Sequence, residues 1–591
     1  MLGSMSRASK YVPGPGCALV LALAFACVGG CASPLHEGSG DDIRKSILAA
    51  QRRELAVVKE QGSVPQSVSA VSEAIGLSPA ILAQLEKISG PGSYEALALK
   101  LGPSLSGGEL ERADVTLSRS VMTTVANNLT VQFARLAPGL SEARLIAAES
   151  AFDWTLFGSS SLAQVDQARV RSSAFDSPAD QRREGLLTLG LRRRMESGGG
   201  LTLQQSVQRI DNNSPRVNSD PNPSNAVNIT AQIDQPLLRN FGSEATLAEV
   251  RLAANADRDA VQQLKATLVQ QVGDTESAYW ELVRAHGELK IARRLLERGQ
   301  ETRDTLRKRQ KSAEDVRASQ LSDAVATVEA RRADVIRAAS SVRQSSDRLK
   351  QLMNDPNAPV ISEVVLVPTD APVAEALTFT LADIVTTALA ERAEVQRAIL
   401  AISDTAIRQQ LADNARLPLL DMRLQVQVSE LDGNIDSAYG RLIDTNYVNY
   451  LVGLNYEQPI GNRGAEAAYR GRMIENMQAQ LTYREVVQRI LLEVKTALRG
   501  VVTSFTLIEQ SRATRIAAAE NLRTLEVEEK TTQNLTPEFL DLKLRRQQAL
   551  ASAELSELAA LTEYNAALGR LHAAMGTALK RNQIRFEVES K

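Results

Sequence analysis

The chain has 591 residues, 43% hydrophobic and only 4% aromatic, with 68 Lys and Arg against 70 Asp and Glu for a formal charge of −2. The two signs are interspersed, which argues against a nucleic-acid partner, since such a partner calls for a basic patch. Cysteine occurs only at 17, 27 and 31, so the chain beyond residue 31 can hold neither a disulfide nor a thiolate metal site. His36, His286 and His572 are far apart, form no ligand pattern and are expected at the surface.

Residues 1–30 read as a targeting segment. Arg7 and Lys10 supply positive charge, and the apolar run 17–27 is too short to act as a spanning anchor. Val28-Gly29-Gly30-Cys31 then places small residues directly before a cysteine. This is similar to the lipobox of bacterial lipoproteins, whose processing would leave a lipidated Cys31 as the first mature residue. The alternative is ordinary signal-peptide cleavage with Cys31 incidental. Residues 31–114 form a polar N-terminal extension, with a helical pattern from Arg44 to Gln61 and breaks at Gly90-Pro91-Gly92 and Gly107-Gly108.

Beyond the extension the chain repeats itself. Val131 and Val395, like Ala134 and Ala398, stand 264 residues apart, whereas Val272 and Val494, Leu349 and Leu571, and Met353 and Met575 stand 222 apart. A fixed shift means one supersecondary unit used twice. The change of 42 residues puts an insertion in the first copy between about 154 and 236.

Copy one, 115–354, opens with a helical block over 115–151. The period then falls to two. Leu187, Leu189 and Leu191 alternate with Thr188, Gly190 and Arg192, and Val227, Ile229, Ala231 and Ile233 alternate with Asn228, Thr230, Gln232 and Asp234. That is the pattern of strands with one apolar and one polar face. Gly198-Gly199-Gly200, followed by Leu201, Leu203 and Val207, predicts a hairpin that fits the insertion.

From 243 no proline occurs until Pro356. Leu282, Leu289 and Leu296 recur every seven residues, as do Leu321, Val328, Val335, Val342 and Leu349. Sustained heptads describe coiled-coil packing. A break near Lys311-Ser312-Ala313 divides the block into two antiparallel arms. The first, about 65 residues, would be roughly 100 Å long.

A Pro-rich linker, 355–378, leads to copy two, 379–577, and a tail, 578–591. Copy two repeats the order of helix, two strands and long helical hairpin. Met422, Leu424, Val426 and Val428 alternate with Arg423, Gln425 and Gln427; Val448, Tyr450, Val452, Leu454 and Tyr456 alternate with Asn449, Gly453 and Asn455. Both runs approach the roughly 9–11 residues of a tilted membrane strand. The mature chain has no apolar run of about 18 residues, so any membrane crossing must use strands.

This order resembles the TolC-like outer-membrane efflux protein family (outer membrane factors), lipoprotein type. The resemblance covers about 115–577 and rests on residues across the chain. They are the doubled helix–strands–helix order, the strand exits Gln235-Pro236 to Gly242 and Gln458-Pro459 to Gly464, the junction Ala415-Arg416-Leu417-Pro418, and the lipoprotein start. It implies a mainly α protein with membrane β-strands. Long antiparallel coiled-coil helices would form a periplasmic α-barrel, and about four β-strands per protomer would contribute to a trimeric outer-membrane β-barrel.

It also implies the partners: two more copies in a homotrimer, a periplasmic adaptor (membrane fusion) protein, an inner-membrane pump and outer-membrane lipid. Oligomerisation follows independently, because four strands cannot close within lipid without unsatisfied edges. Three protomers would supply about twelve strands. The insertion near 183–224 is compatible with larger external loops, longer strands or added strands. Many relatives carry glycines in the turns at the periplasmic tip; here those turns are Lys311–Val316 and Gln533–Glu538, without glycine.

No Gly-rich phosphate loop, metal cluster or nucleophile elbow occurs, so neither enzyme activity nor a cofactor is expected. Glu538 and Asp541, three apart after a turn, are a candidate periplasmic gate, because the family places acidic residues near that entrance. The competing reading is local: Thr536 caps a helix, Pro537 suits its first position, and acids in the first turn complement the dipole. Phe152, Trp154, Phe157, Tyr439, Tyr447, Tyr450 and Tyr456 cluster in or beside the strands, as interface girdles or as strand packing.

The function expected is an outer-membrane exit duct of a tripartite efflux or type I secretion system, passively exporting small molecules or proteins. The alternative is a periplasmic coiled-coil scaffold lipoprotein without a pore. The alternating runs 422–428 and 448–456 discriminate, since a scaffold needs no strands with an apolar outward face.

Overall fold

The computed structural model describes residues 79–90, 93, 101–102, 107–108, 110–171, 173, 175–311, 317–442, 447–532 and 536–585. The signal segment, Cys31, His36, the helical pattern at 44–61 and the tip residues 312–316 and 533–535 lie outside the described residues. The chain divides into two units, one helical and one built around a sheet.

In the helical unit the two copies align. β1 (Arg112–Val115) precedes α2 (Leu117–Asn127) and α3 (Leu129–Glu149) in the first copy. β6 (Val365–Pro368), a linker, α6 (Leu381–Glu391) and α7 (Ala393–Asn414) hold the same places in the second. α1 (Pro79–Ser89) belongs to the N-terminal extension. Thr116 and Thr380 both stand at N-caps, and the Thr116 hydroxyl accepts from the Arg119 amide at 3.2 Å. β1 and β6 pair in parallel, a four-residue ladder that the Pro-rich linker did not announce.

The hairpin arms are α4 (Ala248–Lys311) with α5 (Ala318–Met353), and α9 (Arg463–Thr532) with α10 (Pro537–Ala574). At 64 residues α4 is about 96 Å long. Most residues that reported the repeat are core residues in both copies: Val131 and Val395, Val272 and Val494, and Leu349 and Leu571 are all buried. Leu282, Leu289, Val328 and Val342 of the heptads are fully buried as well. Gly287 lets two arms approach closely, because a Cβ there would lie 2.4 Å from Leu558 Cδ2.

The surface expectation for the histidines is overturned. His286 is 4% exposed and its Nε2–H donates to the Leu366 carbonyl at 3.0 Å. His572 is half-buried, its Nδ1 3.1 Å from the Thr577 hydroxyl. Burial holds both pKa values down at about 4.

The sheet unit contains β2 (Thr155–Ala168), β3 (Ala179–Arg194), β4 (Gly200–Asn212), β5 (Ser224–Pro236), β7 (Leu419–Asp432) and β8 (Val448–Glu457) in one sheet, ordered β2-β3-β4-β5-β7-β8. Every neighbouring pair is antiparallel. The expected four strands are therefore six. The 42-residue insertion supplies the hairpin β3–β4 between the opening strand β2 and the closing strand β5. A short helix, α8 (Ile435–Leu442), packs on β5 and β7, burying Ala438 and Val227.

Candidate functional site: a two-faced sheet

Side chains directly opposite in a ladder share a face. Tyr450, Val426, Ala231, Leu203, Leu191 and Leu156 stand side by side across all six strands. The adjoining rows on that face are Val452, Leu424, Ile233, Leu201 and Arg193 on one side, and Val448, Val428, Ile229, Gln205 and Leu189 on the other. One residue along, the rows belong to the other face. There Leu451, Gln425, Gln232, Thr202 and Arg192 form one row, with Leu451 its one apolar member, and Asn449, Gln427, Thr230 and Gln204 the next.

The polar face satisfies itself. Arg423 pairs with Asp234 at 2.6 Å. The Gln427 amide donates to Asn228 Oδ1 at 3.2 Å and to the Ser429 hydroxyl at 3.1 Å, and the Asn228 amide reaches the Ser206 hydroxyl at 3.4 Å.

The apolar face is lined mainly by side chains that make no such bonds. In the single chain Val452 is 72% exposed, Leu454 70% and Leu156 74%. A contiguous apolar surface of this extent is unfavourable in water and marks a contact with lipid or another chain. The band runs from the Met422 row to the Glu430 row, eight residues or about 27 Å along the strand. A tilt of 35–45° would reduce that to about 20 Å, near the roughly 25 Å band of outer-membrane barrels. Gln205 is a polar side chain on the apolar face, and it donates to the Tyr439 hydroxyl of α8. That bond removes the cost of an unpaired amide there.

The aromatic residues divide by position. Phe152, Trp154 and Tyr456 lie where the chain passes between helices and strands; Tyr439 and Tyr447 lie at the opposite end of the sheet. Tyr450 stands within the apolar band and Phe157 on the polar face. Consecutive arginines at the end of β3 each cover a ring: Arg192 on Phe157, Arg193 on Trp154 and Arg194 on Phe152, at 5.7, 5.8 and 6.0 Å.

Among the described residues, both outer strands of the sheet, β2 and β8, present an edge that pairs with no other strand, 14 and 10 residues long. A free edge of this length is a template for a further strand.

Glu538 is exposed in the first turn of α10, and Asp541 is exposed just beyond it. The Thr536 hydroxyl accepts from the Phe539 amide at 3.2 Å, and Asp541 pairs with Arg545 at 2.6 Å. The local capping chemistry is thus present in full. Among the described residues no group of three or more His, Cys, Asp or Glu converges as a metal site, and no helix is long and apolar enough to cross a membrane.

A buried ionic cluster in the helical unit escaped the sequence reading. Arg515, 1% exposed, donates to Ser89 Oγ at 2.9 Å and Glu86 Oε2 at 2.8 Å of α1, and to Glu557 of α10. Beside it Leu85 is fully buried against Ile516, Leu522 and Leu550. Arg331 donates to the Leu295 carbonyl and to Gln547 Oε1, both at 3.0 Å, and burial lowers its pKa to about 10. Arg331 sits three residues after the heptad residue Val328, so a charge on the seam was the available signal.

No protein-family model and no curated protein matches the chain. Solved structures do. The outer-membrane channel OprN is 14% identical with a TM-score of 0.57, over 78% of this chain and 90% of that one. The open state of the MtrE outer membrane channel of Neisseria gonorrhoeae is 17% identical with a TM-score of 0.55, over 79% and 90%. The outer membrane protein VceC of Vibrio cholerae is 15% identical with a TM-score of 0.55, over 78% and 96%. At such identities the likeness is one of fold, and the chain has the TolC-like fold of the outer-membrane factor channels.

Proposed function

We propose that the protein is an outer-membrane channel, the passive exit duct of a tripartite efflux or type I secretion system. The observation that carries this reading is the six-stranded sheet with a mainly apolar face and a mainly polar one. An apolar face in lipid and a polar face on water is the arrangement of an outer-membrane barrel. In lipid no backbone group can be left unpaired, so the edges of β2 and β8 require further copies, and the trimer that the family resemblance implies would close the ring. In the single chain, Leu129, Phe133, Leu136 and Leu140 of α3 make a heptad stripe that is 58–78% exposed, consistent with helices that also await a neighbour.

The helices would then extend into the periplasm towards an adaptor protein and an inner-membrane pump that supplies the driving force. In this reading Cys31 carries the lipid anchor, and Glu538 and Asp541 of three copies form a ring of six carboxylates at the periplasmic entrance. A coiled-coil scaffold without a pore would leave the apolar face of the sheet without a purpose.

Cell fractionation with native mass spectrometry of the detergent-extracted protein tests the reading. A three-chain particle from the outer membrane, each chain beginning at an acylated Cys31, is expected. A stable monomer released without detergent would refute it.

A further inference from the structure

The β3–β4 hairpin is the part of the sheet that the doubled repeat does not require. Four observations bear on where it belongs. It lies between β2 and β5, not at an edge, so it cannot be a flap hung on a finished wall. Its ladders are continuous on both sides, Thr155 to Ala168 along β3 and Gly200 to Ile210 along β5. It continues both faces, with Leu189 and Leu203 on the apolar side and Thr188 and Ser206, directly paired, on the polar side.

Its turn is also fixed at the helix-connected end of the sheet. The Gly242 amide donates to the Ser197 carbonyl at 3.0 Å, and Ser197 and Gln235 bond through their side chains at 2.9 Å. Gly198, at φ 92°, lies so close to the β5 exit that a Cβ would be 2.2 Å from the Asn240 carbonyl. An enlarged external loop would turn only at the opposite end.

We propose that this hairpin spans the full height of the membrane wall and lines the pore, so that three copies close an eighteen-stranded barrel. The proposal rests on the channel reading above. The second copy seats its β2 against β8 of the first; the alternation of six antiparallel strands leaves those two edges running in opposite directions, as an antiparallel closure needs. Barrel diameter grows roughly in proportion to strand number, so the lumen is about half as wide again as a twelve-stranded one. Walls of 16–18 strands enclose an open aqueous channel. The membrane segment would therefore admit bulky or polymeric polar cargo.

Single cysteines report the wall directly. Thr188→Cys and Ser206→Cys are near-isosteric, Gln425→Cys marks the wall shared by both repeats, and Leu189→Cys and Leu203→Cys mark the lipid side. Each variant is placed in a planar bilayer and treated with a cationic methanethiosulfonate, with the unsubstituted protein as background. The expected result is a loss of conductance in three steps for Thr188→Cys, Ser206→Cys and Gln425→Cys, and none for the leucine positions. Steps at Gln425→Cys alone would overturn the hairpin assignment and leave the channel standing. Steps at none of the polar positions would overturn both.

Discussion

At the scale of single residues, the two faces of β8 make opposite demands. An arginine at Val452 would project from the apolar face near the middle of the band, and one at Asn455 from the polar face. Val452→Arg is expected to cost about 2–4 kcal/mol and Asn455→Arg much less. Unfolding of the two variants in detergent or lipid checks this, and equal tolerance would remove the face assignment.

The buried carboxyl of Glu554 makes a second prediction. It is 2% exposed, and one of its oxygens has no hydrogen-bond partner. Burial raises its pKa to about 7, against the pull of Arg298, Arg294 and Arg515. The folded state thus binds the proton more tightly than the unfolded chain does. The associated stability is full below the ordinary value of 4.5 and is lost as pH rises through about 7. Glu554→Gln should therefore melt above wild type at pH 8, and the difference should vanish towards pH 4. A Gln variant that melts lower at pH 8 would mean that the carboxylate is held by its arginines.

The same scale shows what a sequence can and cannot disclose. Leu282, Leu289 and Val342 were legible as core because a seven-residue recurrence has one physical cause. Arg515 was not, because its partner Glu86 is 429 residues away and only the packing of α1 brings them together.

At the scale of elements, the helical arms and the strands of copy two followed from period and proline placement. β2 did not. Gly158-Ser159-Ser160-Ser161 breaks the apolar alternation on which a strand reading depends. β6 lay hidden in the Pro-rich linker because four residues carry no measurable period.

The candidate gate also belongs to this scale, since one helix start explains it in two ways. Removing the cap by Thr536→Ala should cost about 1 kcal/mol. If three copies of Glu538 and Asp541 face a constriction, Glu538→Gln with Asp541→Asn should reduce cation preference, as charged rings set selectivity in other pores. Reversal potentials across a salt gradient measure that directly. An unchanged value would leave the Thr536 cap and the Asp541–Arg545 pair as the whole role of these residues.

At the scale of the molecule, the doubled unit was legible to the residue: Leu117 and Leu381 both open helices, 264 positions apart. The strand count was not. A 42-residue excess can be loop or wall, and only the register of β3 and β4 with their neighbours distinguishes the two. That difference matters because wall strands set the bore, whereas loops only decorate it. The central claim is that this sheet, multiplied, encloses water across a membrane. Conductance of the purified protein in a planar bilayer tests it most directly. Long-lived, ohmic currents from three-chain particles are expected. Three-chain particles that insert and carry no ions would contradict it.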